Sequence, residues 1–430
     1  MEDNKQSQDI EFIKEKVKER PLNRKKLVRR TIITASMAVI FGLIACLTFL
    51  VLEPVFTNLL YPEDEPQQVE LKEENIEEEM RPEDMLLEEE TETEAPVVPQ
   101  TVVEKVELEI SDYQRLYRLM YALVQKASRS MVTVTGVVTD MDWFDNVYEN
   151  QGQSSGLIVA ENGKELLILT DSSVVDQAET LKVSFSNGVQ AAAELKGRDK
   201  ETGLAIVSVA LEEIDQETKE GIQMAALGGS GSSLLASPVI ALGWPLGSSA
   251  SVIYGMVTSA DTWASLSDHN VRILTTDMVG SGNASGVLIN LSGQVVGIIK
   301  PGIKKNAENK NLLTAYGITD LRRIIEKLSN GQEIARLGVN GTDVPKEVSE
   351  ELGVPLGAYV TGIQMDSPAM EAGIQSGDVI VKLGTAEITS FAEYQDAVMA
   401  LAPETATTVT IMRQGQEEYQ EMTVDVILGR

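Results

Sequence analysis

Residues 277–297 read DMVGSGNASGVLINLSGQVVG. Two apolar runs, GVLIN and the VVGIIK that begins at Val295, have the length and branched content of short buried strands. The turn ahead of them, Gly280 to Ser285, is made of small residues only. Its hydroxyl groups raise the question of a nucleophile. A serine hydroxyl is a weak nucleophile near neutral pH unless a base takes its proton. The chain has one histidine, His269. It lies in SDHNV, which reads as a hairpin turn with the histidine exposed to solvent.

Outward from this loop the pattern repeats. MVTVTGVV, SSGLIVA, ELLILT, LKVSFSN and LAIVSVA precede it, followed by PVIALG, SVIYGMVTSA and VRILTTD. Many short β-like runs broken by Gly, Asn and Asp predict β-barrels or sandwiches, and no βαβ alternation appears. Ahead of the first run, Ser111 or Asp112 is placed to cap a helix whose apolar face holds Tyr113, Leu116, Tyr117, Met120, Val124 and Ala127. TDLRRIIEKLSNG (319–331) predicts a second helix, stopped at Asn330-Gly331.

The N-terminal quarter is of another kind. Arg20 to Arg30 carries six positive residues and no acids, and residues 31–52 form a 22-residue uncharged run. That length crosses a bilayer core of about 30 Å. The basic flank predicts a cytoplasmic N-terminus with the folded part outside. Leu43-Ile44-Ala45-Cys46 also resembles a lipoprotein cleavage box, although the apolar run continues to Leu52. Glu63 to Glu94 holds sixteen acids against Lys72 and Arg81, and such composition predicts a disordered spacer. The boundaries expected are a basic tail over 1–30, a transmembrane helix over 31–52 and an acidic disordered linker over 53–110. Two folded domains over 111–332 and 333–430 follow.

The formal net charge of −30 argues against nucleic acid. One cysteine allows no intrachain disulfide. No P-loop, GxGxxG or metal-spaced cluster appears, so neither cofactor nor metal is expected. Asp140, Asp142, Asp145 and Glu149 have the acids of a calcium loop without its glycine, and they read as a solvated loop. Trp143 and Phe144 in that loop are placed to touch a neighbouring subunit.

Residues 357–384, GAYVTGIQMDSPAMEAGIQSGDVIVKLG, and the segment FAEYQDAVMAL (391–401) resemble a PDZ domain. The region before them resembles the protease domain of the HtrA/DegP serine proteases. The resemblance implies a mainly β chain: a chymotrypsin-like double β-barrel followed by a PDZ domain. It implies that Arg336, Leu337, Gly338 and Val339 form a loop whose backbone amides receive a peptide's terminal carboxylate while the peptide adds as a strand. A groove already filled between that strand and the 391–401 helix would point to a structural role instead.

The triad fares differently. Hydrolysis of this type needs serine, histidine and an orienting acid. Ile168-Leu169-Thr170-Asp171-Ser172-Ser173-Val174-Val175 puts Ser173 where the family has histidine. Gly197-Arg198-Asp199 followed by Glu201-Thr202-Gly203-Leu204 puts Gly203 on the acid. Gly282-Asn283-Ala284-Ser285-Gly286 puts Ala284 on the nucleophile, with Ser285 as the alternative if the gap slides. The amides of Gly282, Asn283 and Ala284 are the expected oxyanion loop. The implied function is an anchored pseudoprotease that binds peptide C-termini or unfolded envelope proteins, as a homotrimer or mixed with an active relative. The rival is an active endopeptidase using Ser285 and a base other than histidine.

Overall fold

The computed structural model describes residues 67–71, 109–141, 147–248, 250–303, 311–416 and 418–430, with Met37. The basic tail, the transmembrane helix expected over 31–52 and the loop carrying Trp143 and Phe144 otherwise lie outside the described residues. Among the described residues no helix is long and apolar enough to cross a membrane.

The first domain is two closed six-stranded barrels. Barrel one holds β1 (Met131–Met141), β2 (Val147–Glu161), β3 (Glu165–Asp171), β4 (Thr180–Ser184), β5 (Gln190–Asp199) and β6 (Leu204–Ala210). Barrel two holds β7 (Pro238–Trp244), β8 (Ser251–Leu266), β9 (His269–Val279), β10 (Ser285–Ile289), β11 (Val295–Ile299) and β12 (Leu312–Gly317). The continuous apolar runs have a structural reason. In β3, Leu166 and Ile168 face the interior of barrel one, while Leu167 and Leu169 join a second core shared by both barrels. In β10, Leu288 faces the interior of barrel two, and Val287 and Ile289 enter the shared core. Each side chain so buried contributes about 1.5–3 kcal/mol. The barrels are therefore held rigidly enough for the cleft between them to keep its shape.

Strands β5 and β12 do not stand out in the sequence. Strand β5 is largely exposed and carries charges at alternate sites; β12 is short and ends in Ala-Tyr-Gly. Helix α1 (Ile110–Ala127) begins two or three residues earlier than expected, with Glu109 as its cap and Asp112 accepting from the Glu109 amide at 3.0 Å. Its expected face is buried only in the second half. Val124 is buried, but Tyr113, Leu116 and Tyr117 are exposed. After the short α2 (Gln216–Gly221), α3 (Ile318–Ser329) packs Leu321, Ile324, Ile325 and Leu328 into the shared core and stops at Gly331, where φ is 65°.

The second domain is one sheet of β13 (Val339–Asp343), β14 (Ala358–Ile363), β15 (Val379–Leu383), β17 (Ala406–Gln414) and β18 (Tyr419–Ile427), with β16 (Ala386–Glu387) paired to β15. Helices α4 (Lys346–Leu352), α5 (Pro368–Glu371) and α6 (Phe391–Met399) complete it. Phe391, Tyr394 and Val398 of α6 are fully buried against the sheet.

One expectation needs correction. Residues 67–71, inside the stretch expected to be disordered, lie extended against the first domain. The Val69 amide donates to Asn330 Oδ1 at 3.0 Å, and Asn330 Nδ2 donates back to the Val69 carbonyl at 3.1 Å. Val69 itself is buried. The apolar pair Val69 and Leu71, alternating with Glu70, supplies the burial that the surrounding acids lack.

Candidate active site and peptide groove

The cleft between the barrels is lined by Ser154, Ser155, Asp171, Leu204, Ser285 and Gly286 among others. The residues at the three triad positions lie on its elements. Ser173 is exposed on the turn after β3, its amide donating to Asp171 Oδ1 at 3.0 Å. Gly203 begins the approach to β6 with φ at 66°. Ala284, 5% exposed, immediately precedes β10. Ser285 is the first residue of β10, and there it pairs with Trp244. Gly286 next to it has φ at 132°, and a Cβ there would lie 2.0 Å from the Leu242 carbonyl oxygen. The strand's register is thus fixed by a position only glycine can fill.

The side chain that fills the acid position comes from elsewhere. Lys300 follows β11, and its Nζ donates to Asp171 Oδ2 at 2.5 Å and to the Gly203 carbonyl at 3.3 Å. A Cβ on Gly203 would lie 2.6 Å from Lys300 Nζ. Burial opposes the ionisation of Asp171, but the Lys300 ammonium and the Ser173 donors outweigh it and hold the carboxyl below its usual value. Tyr316 is pushed up to about 12 by burial and by the nearby carboxylates of Asp199, Asp171 and Glu201. No histidine completes this site.

Ser285 Oγ accepts from the Ser155 amide and the Ser155 hydroxyl, each at 3.2 Å. Among the described residues no histidine, amine or carboxylate hydrogen-bonds it. The expected oxyanion loop is also turned to another use. The Ala284 amide donates to the Ser281 carbonyl at 3.1 Å, and the Asn283 amide to Ser281 Oγ at 3.2 Å. Two of the three amides are therefore spent inside the turn, because Ser281 offers both a carbonyl and a hydroxyl within reach.

His269 is not exposed. It is 6% accessible at the start of β9, because the second domain covers the hairpin that carries it. Nε2 faces the Asp320 carbonyl at 3.0 Å, so Nε2 carries the proton and Nδ1 accepts from Gln395 Nε2 at 3.1 Å. Burial pushes its pKa below the usual histidine value. It belongs to the domain interface and not to the cleft.

In the Leu337–Val339 loop the backbone donors converge. Gly338 has φ at 93°, and a Cβ there would meet Ser367 Cβ at 2.2 Å. This sharp turn lets successive amides point at one place. What they meet is the Asp268 carboxylate from the β8–β9 turn. Oδ2 accepts from Leu337 N at 2.8 Å and Gly338 N at 2.7 Å, and Oδ1 accepts from Val339 N at 2.9 Å. The Tyr394 hydroxyl also donates to Oδ1. Arg336 does not point into the groove. Its guanidinium ion-pairs with the buried Asp199 and donates to the Ser267 carbonyl at 3.0 Å.

Comparison with known proteins agrees with this architecture. Residues 154–298 match the trypsin-like peptidase domain family, and residues 335–426 match the PDZ domain family. The serine protease Do-like HtrA of Lactococcus lactis subsp. lactis (strain IL1403) is 27% identical over 344 residues, spanning 71% of this chain and 82% of that protein. The chain is similar in sequence to the serine protease Do-like HtrA proteins. The serine protease Do-like HtrA of Bacillus subtilis (strain 168) is 31% identical over 297 residues, 64% of each chain. The matched region thus spans less than two thirds of that second relative. A solved structure described as HtrA-type protease AlgW with decapeptide superposes with a TM-score of 0.52 at 21% identity, covering 72% of this chain and 98% of that one. At that identity the likeness shows the fold alone.

Two residues of this chain escape sequence reading. Lys300 lies 129 residues from Asp171, and Asp268 lies 69 to 71 residues from the amides it meets. The available signals were a lysine ending the otherwise apolar VVGIIK and an aspartate ending ELLILTD, opposite charges at the ends of two buried strands.

Proposed function

We propose that this chain is a membrane-anchored HtrA-like pseudoprotease: a protease-fold scaffold whose PDZ domain captures peptide C-termini or unfolded envelope proteins outside the membrane. The observation that carries the reading is the cleft itself. Lys300 fills the acid position, Ser173 and Ala284 stand at the other two, and Ser285 Oγ is held by Ser155. Loss of a nucleophile or base from a triad costs roughly 10⁶ in turnover, and what remains comes largely from the oxyanion hole and substrate binding. Here two amides of that hole are engaged by Ser281. Relatives named as probable periplasmic serine endoproteases support an envelope setting and a link to proteolysis. In that setting the chain docks substrates or restrains an active relative, as a homotrimer or in mixed assembly. The N-terminus is assigned to the cytoplasm by its basic flank.

The second reading, an active endopeptidase, is favoured by one observation: Ser285 lines the cleft. Incubation of the full-length chain with an unfolded protein, followed by mass spectrometry of any fragments, separates the two. Neither the parent nor Ser285→Ala is expected to cut. Cleavage by the parent that Ser285→Ala abolishes would replace the pseudoprotease reading with the endopeptidase one.

A further inference from the structure

The contacts of Asp268 go beyond domain packing. It stands in the two-residue turn between Leu266 and His269, with φ at 58°. That left-handed conformation is one that aspartate tolerates better than most residues, and it aims the carboxylate into the Leu337–Val339 loop. Three consecutive backbone amides converge on this one group. The Asp268 amide donates to the Val339 carbonyl at 2.7 Å, the bond that the last residue of an added strand makes to a sheet edge. Asn270 Nδ2 continues along the edge to the Gly341 carbonyl at 3.0 Å. On the other wall the Asn270 amide donates to Gln395 Oε1 of α6 at 3.1 Å. The hairpin therefore lies between β13 and α6, and its carboxylate sits where a chain terminus would.

We propose that the β8–β9 turn is an internal ligand of the PDZ groove, the Asp268 carboxylate standing in for a peptide's terminal carboxylate. A polypeptide ending in a free carboxylate then binds only by displacing it. This rests on the peptide-binding half of the reading above. A groove filled in this way is also what a purely structural role would show, and the cost of the seal separates the two. Ser267 Oγ and Asn270 Oδ1 are buried in the closed interface without a hydrogen-bond partner, a cost that opening removes. A group made for a permanent seal would satisfy both.

The test uses the full-length chain in detergent and two fluorescein-labelled peptide pools. Both are randomised over the preceding positions and end in valine, one as the free carboxylate and one as the amide. Asp268→Ala is expected to raise affinity for the carboxylate pool about tenfold or more, as for a site closed more than nine-tenths of the time. The amide pool is expected to stay unbound. Hydrogen exchange at the Leu337, Gly338 and Val339 amides is expected to speed up by about tenfold without any peptide, since their acceptor is gone. Asp268→Asn keeps the turn conformation and drops the charge. It is expected to move both readouts in the same direction by less, which guards against misfolding of the alanine variant. Unchanged exchange with unchanged affinity overturns the proposal. Faster exchange with no binding of the carboxylate pool upholds the hairpin as occupant, and peptide capture is then what fails.

Discussion

In the interbarrel cleft and in the PDZ loop alike, a charged side chain from elsewhere in the chain stands where the family pattern has another group. The cleft holds a cation, Lys300, and the loop holds an anion, Asp268. The two differ in what opening would require. Lys300 follows β11 directly, and its partners Asp171 and Gly203 flank β3 and β6, strands packed into the shared core. Its backbone is held by those strands, so only rotation of the lysine side chain vacates the site. Asp268 sits across the boundary between the two domains, which the short stretch from Asn330 to Arg336 joins; the second domain keeps most of its own core and lends Met399 to the first. Such boundaries open as rigid bodies. The same kind of filling is thus released by a side-chain rotation in one place and by a domain movement in the other.

The comparison can be broken at the clamp that keeps the boundary shut. The Arg336–Asp199 pair bridges the domains with side chains 13% and 4% exposed. Arg336→Ala leaves a buried carboxylate without its cation, an expected loss of about 3 kcal/mol. Urea unfolding would show it as a lower midpoint, and a loss below about 1 kcal/mol would mean that the domains are held by other contacts. In the cleft, Lys300→Ala strands Asp171. Both partners are about a quarter exposed, so the expected cost falls to about 2 kcal/mol. If Lys300→Ala were neutral, the cleft would be as adaptable as the groove, and the contrast would collapse.

Acid sharpens the distinction further. His269 is held neutral by burial; it faces the Asp320 carbonyl and Gln395, with Asp199, Asp268 and Arg336 as the charges around it. Its folded pKa is depressed, so below about 6.5 the unfolded chain binds the extra proton. Stability at the domain boundary is therefore complete above that value and declines as pH falls through it. The depressed Asp171 acts lower, its contribution disappearing only as pH drops below about 4. The protection factor of the Gly338 amide, its exchange rate divided into the intrinsic rate at each pH, is expected to fall from pH 7.5 to 5 in the parent, and His269→Gln is expected to flatten that profile. Loss of protection persisting in His269→Gln would assign the response to another group. The smallest effect is expected for Ser285→Ala. It removes a hydroxyl that only accepts from Ser155, and its cost in a thermal melt should stay below about 1 kcal/mol.

Most of the barrels could be read from the sequence because strands buried on both faces leave continuous apolar runs, as in ELLILT and GVLIN. The SDHN turn was legible too, since a two-residue connection between β-like runs is a local property. The burial of His269 was not. Exposure of a turn depends on what lies above it, and here that is a domain about seventy residues further on. Asp268 and Lys300 were missed for the same reason: their partners are brought near only by the completed fold. Residues 67–71 show the converse case. A local alternation, Val69 and Leu71 around Glu70, was outweighed by the charge of its surroundings, although two apolar side chains and one asparagine suffice to dock it.

The Gly203–Lys300 contact has a consequence for the route back to an active enzyme. Writing histidine, aspartate and serine into positions 173, 203 and 284 would not rebuild a triad. The aspartate's first carbon would meet the Lys300 ammonium at 2.6 Å, on a backbone whose φ of 66° disfavours any side chain. The lysine tip can give way, but only by loosening its bond to Asp171. Restoring the acid therefore sets a strained backbone position against an existing ion pair, and the cleft resists reversal as a ratchet does.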